Sequence, residues 1–169
     1  MATLTSADLR TRLQVVPLDY QFARAENAQD HNQVEVVARL AGPAMAARTV
    51  TTRLLTWELR GMVEACRKLA DGQLAVWQPH FLDSGLHLWL RRSDDRGDRL
   101  LAVAVVSTIS GPLPVEAASA WQGAILQVPG QALSGIRFSC SAHALAVFAA
   151  ELQGAMLALP PRTLAATER

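Results

Sequence analysis

The chain has 169 residues, half of them hydrophobic and 18% charged, with a mean hydropathy of +0.15. That balance predicts one folded domain and excludes intrinsic disorder, which needs low hydrophobicity and high net charge. Sixteen basic against fifteen acidic residues leave a charge of +1, so nothing marks a nucleic-acid binder, and no apolar run approaches the roughly 20 residues of a membrane span.

In chain order, the first third reads as strands. Leu13 to Phe22 is apolar but carries Pro17, which cannot donate to a ladder and predicts an edge or irregular strand. Ala23 to Asn32 is polar and reads as a loop. Val34, Val36, Ala38 and Leu40 then alternate with Gln33, Glu35, Val37 and Arg39, the period of a half-buried strand. Gly42-Pro43 breaks it, and Arg48 to Leu54 returns as its antiparallel partner.

A helix is predicted next. Thr56 suits the N-cap, and Glu58 suits the positive end of the dipole. Leu59, Val63, Cys66, Leu69 and Ala70 make one apolar face, and Arg60, Glu64, Arg67 and Lys68 take the other. Asp71-Gly72 stops it, with Gly72 in the position after the cap.

Leu74 to Trp77 and Leu86 to Leu90 follow as strands, with Leu86, Leu88 and Leu90 alternating with His87 and Trp89. The run 91–99 is a charged hairpin tip turning at Gly97. Leu100 to Ile109, apolar throughout, predicts a central strand covered on both faces. Residues 110–114 end it. A strand is expected at Trp121 to Val128, Pro129-Gly130 breaks that one, and Ile136 to Ser139 makes a short strand.

Ser141 caps the last helix, whose stripe is Leu145, Phe148, Ala149, Leu152, Met156 and Leu159, and Pro160-Pro161 stops it. No internal repeat is visible. The fold class expected is α+β: one antiparallel sheet of about six to seven strands packed on two main helices. A single domain over 1–169 is expected, with an ordered core from about 13 to 162, fraying from Arg162 and a flexible tail over 163–169.

Chemistry is sparse. Cys66 and Cys140 fit no zinc or disulfide pattern and read as core thiols. His31, His80, His87 and His143 form no ligand spacing, so no metal and no cofactor are expected. There is no nucleophile elbow and no phosphate loop, so an enzyme is not expected. One alternative is a small hydrolase or ligand-binding protein around His80, Asp83 and His87, although triad members normally come from separated segments. With Leu86, Leu88 and Leu90 turned to the core, His87 and Trp89 point to the other sheet face. Val37 and Arg39 are expected beside them, a composition that suits either a partner surface or a face closed by the N-terminal segment or a long loop. The same apolar face offers a further alternative, a homodimer of unknown role.

Four stretches resemble one family. Leu54-Leu55-Thr56-Trp57-Glu58-Leu59, running into a helix that ends Leu69-Ala70-Asp71-Gly72, is similar to the "LLTxEL…L…L.xG" segment of the WapI-type immunity proteins, small bacterial partners of wall-associated contact-dependent toxins. Phe81-Leu82-Asp83-Ser84-Gly85-Leu86 stands where that family has Phe-Ile-Glu-Pro-Asn-Leu, Leu159-Pro160-Pro161-Arg162 resembles its "L..FPxR" close, and Leu18-Asp19-Tyr20-Gln21-Phe22 resembles its "GYEFP" strand. The pattern departs at Ser84-Gly85, Gln21 and Ala23, and in lacking a Pro-x-Trp after the 100–109 strand. The resemblance implies an α+β immunity-like fold, no enzymatic activity and a toxin polypeptide as partner. It carries over no toxin-contacting residue. The N-terminus lacks a basic segment followed by an apolar one, so the expected location is the cytoplasm.

Overall fold

Period-two burial along the strands generates two antiparallel sheets. The computed structural model describes residues 1–22, 27–43, 45–79, 81, 85–93, 99–107, 125–127 and 133–162. The elements are β1 (Ala2–Thr5), β2 (Arg12–Tyr20), α1 (Ala28–His31), β3 (Gln33–Gly42), β4 (Met45–Leu55), α2 (Thr56–Ala70), β5 (Val76–Trp77), β6 (Leu86–Arg92), β7 (Arg99–Ser107), β8 (Ile125–Gln127), β9 (Leu133–Ser141) and α3 (Ala142–Met156).

The first sheet has the order β1-β2-β3-β4 and the second β5-β6-β7-β9-β8. The class is α+β as expected, but the single sheet of six to seven strands is corrected to two sheets of four and five. Alternation tells which side chains face the core and is silent on which strands pair. The expected central strand is β7, between β6 and β9. The short strand expected at Ile136 to Ser139 extends to nine residues, because all of β9 pairs with β7. Of the strand expected at Trp121 to Val128, 125–127 are β8 and the remainder lies outside the described residues.

Both inner faces join one core with the two long helices, from Ala2 and Leu4 through Val36 and Ala38 to Leu88, Ala102 and Phe138. The buried core thus reaches back to Ala2, ahead of the expected start near Leu13. The sheets are tied together directly: Gly85 N donates to Thr52 Oγ1 at 2.5 Å, and Ala7 N donates to Ser139 O at 2.8 Å. Gly42 lies against the second sheet, since a Cβ there would meet Ile136 Cδ1 at 2.7 Å.

The helix α2 starts one residue earlier in its turn than expected. Thr56 is inside it, buried, and Glu58 Oε2 accepts from Leu55 N at 2.7 Å. At the other end Gly72 adopts φ +76, Gly72 N donates to Leu69 O and Gln73 N donates to Lys68 O, the paired bonds of a Schellman close. In α3 the expected cap is present: Ser141 Oγ accepts from Ala144 N at 3.0 Å.

The structure repeats one plan that the sequence does not display. Each half lays down an antiparallel sheet whose last long strand (β4 or β9) passes without a loop into a 15-residue helix. The pairing Val37 with Thr51 in one half corresponds to Val103 with Arg137 in the other. Buried positions correspond too: Val50 with Ile136, Leu54 with Cys140, Leu59 with Leu145, Met62 with Phe148, Cys66 with Leu152. The helices reach across the halves. α3 packs chiefly on β1 and β2 of the first sheet, α2 touches β5 and β6 of the second as well as its own β4, and the two helices pack on each other. The halves differ at one edge, since β4 ends its sheet whereas β9 carries β8 beyond it.

The polar segment before β3 is more structured than a loop. Asn27 Oδ1 accepts from Asp30 N at 2.8 Å and caps the single turn α1. Asn32, 4% exposed, then bonds three segments at once. Its Nδ2 donates to Ala28 O and Arg162 O, both at 2.9 Å, and its Oδ1 accepts from Arg162 N at 2.8 Å and Thr56 Oγ1 at 3.1 Å. Arg162 is therefore pinned, not frayed. Its guanidinium also lies 3.5 Å from the Tyr20 ring centroid and donates to Phe22 O at 2.9 Å. The residues 163–169 lie outside the described ones. Among the described residues no helix is long and apolar enough to cross a membrane.

Candidate functional site

The outer face of the second sheet collects the residues of interest. On β6, Leu86, Leu88 and Leu90 are buried toward the core, so His87 and Trp89 point outward as the alternation predicts. The register sets Val105, only 1% exposed, opposite His87, half-buried Val103 opposite half-buried Trp89, and half-buried Leu101 opposite exposed Arg91, so the His87 end of the row is covered and the Arg91 end is open. Arg137 of β9 stands beyond Val103 in the same row. Two outward residues of one strand are neighbours on one face, and here their rings stack, with centroids 5.9 Å apart at 14°.

His87 is the electrostatic peculiarity. It is 7% exposed, and its Nε2 is buried with no hydrogen-bond partner among the described residues. Burial pulls the imidazole pKa down to about 4, so the ring is neutral at pH 7. A neutral ring offers a partner one donor or acceptor and no charge. Leaving it unpaired costs about 1–3 kcal/mol, the desolvation penalty of a buried polar group.

The four residues expected to share a face do not. Val37, half-buried, and Arg39, exposed, belong to β3 of the first sheet. Their neighbours across the ladder are Val16, Gln14, Thr51 and Thr49. The expectation placed them with His87 and Trp89 because it assumed one sheet. Of the alternative trio, His80 and Asp83 lie outside the described residues, and His87 is the stacked ring just described.

Other titratable groups are dispersed. Cys66 and Cys140 are free and fully buried, and burial pushes the Cys140 thiol up to about 12 and the Cys66 thiol higher still. His143 is exposed in the first turn of α3. Among the described residues no three His, Cys, Asp or Glu side chains are grouped to hold a metal ion.

Sequence reasoning missed a groove of about 320 Å³ between α2 and α3, lined by Arg60, Val63, Glu64, Arg67, Gln153, Met156 and Leu157. The signal available for it was the spacing of Arg60 and Arg67, two turns apart on one helix face. No family model, curated protein or solved structure matches this chain.

Proposed function

We propose that this protein is a non-enzymatic protein-binding module, resembling a bacterial toxin-immunity protein, and that it meets its partner through the outer face of the second sheet. The observation that supports this reading is the stacked pair His87–Trp89 beside Val103, Val105 and Arg137. Trp and Arg are the residues most enriched at the energetic centres of interfaces, and an aromatic stacked on a second ring loses little freedom when it docks. The corresponding face of the first sheet is different. Where the second has His87, Trp89, Val103 and Val105, the first has Gln14, Val16, Val37 and Arg39. Two halves built to one plan thus differ in polarity on this face, and with His87 and Val105 buried it is the half-buried Trp89, Val103 and Arg137 that would meet the partner.

The partner under this reading is a polypeptide toxin, held in a complex that blocks its action. The test is calorimetric, with the partner polypeptide purified from its complex with this chain. Trp89→Ala is expected to weaken binding by about 2 kcal/mol or more, the scale of an interface hot spot. Unchanged affinity removes this face from the reading.

A further inference from the structure

We infer that the groove between α2 and α3 is a second docking site, which takes an acidic amphipathic helix of a partner protein. Its floor is Val63 and Met156, both nearly buried, and its rim carries Leu157, 80% exposed and the most exposed large hydrophobic side chain among those described. One wall is cationic. Arg60 and Arg67 lie seven residues apart on α2, about 10 Å along the axis at 1.5 Å per residue, and Arg67 keeps its charge and its other N–H groups while Nη2 donates to Gln153 Oε1. Glu64 between them does not cancel this charge, because Lys68 Nζ already sits 2.6 Å from its Oε1.

The other wall is α3, whose groove-lining residues Gln153, Met156 and Leu157 carry no charge. Ala146, Val147, Ala150, Gly154 and Leu157 are exposed at helical spacing and uncharged, with Glu151 turned to Thr3 N, whereas α2 exposes Arg60, Glu64, Arg67 and Lys68 beside Trp57. An occupant therefore meets guanidinium groups on one flank and apolar surface beneath and on the other. An apolar stripe bordered by carboxylates matches that pattern, and a helix laid between two helices is the geometry a groove of this kind accepts. Two guanidinium groups two turns apart fit two carboxylates seven residues apart, rather than the single headgroup of a fatty acid.

A second copy of this chain does not supply such a helix. Its long helices carry only Glu58, Glu64 and Glu151 as acidic residues, and no two of them stand seven residues apart on one helix. The occupant is accordingly another protein.

The experiment uses the full chain and two synthetic helical peptides of roughly five turns, each with a leucine stripe. One carries Glu at two flanking positions seven residues apart, and the other carries Lys there. Calorimetry is expected to show the Glu peptide binding at least roughly tenfold tighter than the Lys peptide. The double variant R60E/R67E, with an unchanged circular dichroism spectrum, is expected to reverse that preference. Equal affinities for both peptides, or no saturable binding of the Glu peptide below about 1 mM, overturns the inference. So does stoichiometric binding of dodecanoate that Arg60→Glu abolishes while the Glu peptide fails to compete. A concentration-dependent dimer that Leu157→Glu dissolves overturns it as well, because the groove would then be filled by a second copy.

Discussion

Arg67 of α2 donates from Nη2 to Oε1 of Gln153 on α3, and the two residues hold the same position in the two halves of the chain. They lie 86 residues apart, the separation of the helix starts Thr56 and Ala142. A contact between equivalent residues marks the axis that relates the halves. Because α3 packs chiefly on the first sheet, α2 reaches β5 and β6 of the second, and the buried residues form one cluster, the halves share a single core. Residues 1–72 expressed alone are expected to be unfolded or to self-associate, and to recover a native circular dichroism spectrum and monodisperse mass when mixed with 73–169. A folded, monomeric 1–72 fragment, measured by sedimentation, would contradict this shared core.

His87 makes stability depend on pH. Its folded pKa of about 4 lies below the ordinary value of 6.5, so between them the unfolded chain binds the proton more readily. Stability is therefore complete above pH 6.5 and falls as the pH drops toward 4. The loss is on the order of 2 kcal/mol after allowance for partial solvent screening. Urea titrations of the wild type and His87→Leu from pH 7.5 to 4 isolate the effect from that of other groups. Parallel curves would mean that the imidazole is solvated.

Asn32 is expected to be the most costly polar side chain to remove. Truncation to Ala leaves Arg162 N, Ala28 O and Arg162 O without their partner and detaches the 160–162 segment from α1 and α2. About 2–3 kcal/mol of destabilisation is expected, the range for orphaned buried groups. Limited proteolysis should then cut near Pro160 faster than in the wild type. A change in unfolding free energy below about 0.5 kcal/mol, the size of an ordinary surface substitution, would show that the junction is open in solution.

The helices were legible because their periodicity states both the buried face and the solvated one. Leu59, Val63, Cys66 and Leu69 are buried as their spacing predicts, and Gly72 takes the left-handed conformation that a Schellman close requires. Strand faces were legible for the same reason, and His87 and Trp89 do point away from Leu86, Leu88 and Leu90. Strand partners were not. Val37 and Arg39 alternate in the same way as His87 and Trp89, and only the long-range ladder places them in another sheet.

The repeat stayed hidden because burial constrains volume and polarity, not identity. Met62 answers to Phe148 and Cys66 to Leu152, and of the five buried correspondences only Leu59 with Leu145 keeps the same residue. The polar run before β3 misled in the opposite way. Asn32 is buried because its hydrogen bonds are met by a segment 130 residues later, a partner no local pattern discloses.

The central claim is that the chain binds a protein partner through the His87–Trp89 face. Its most direct test is recovery of partners from source lysate on three tagged baits, quantified by mass spectrometry. The baits are the wild type, Trp89→Glu on the second sheet and Arg39→Glu on the first. The account predicts one polypeptide in stoichiometric amount on the wild type and on Arg39→Glu, and its loss on Trp89→Glu. Equal recovery on all three baits, or recovery of nothing but the chain itself, would contradict it.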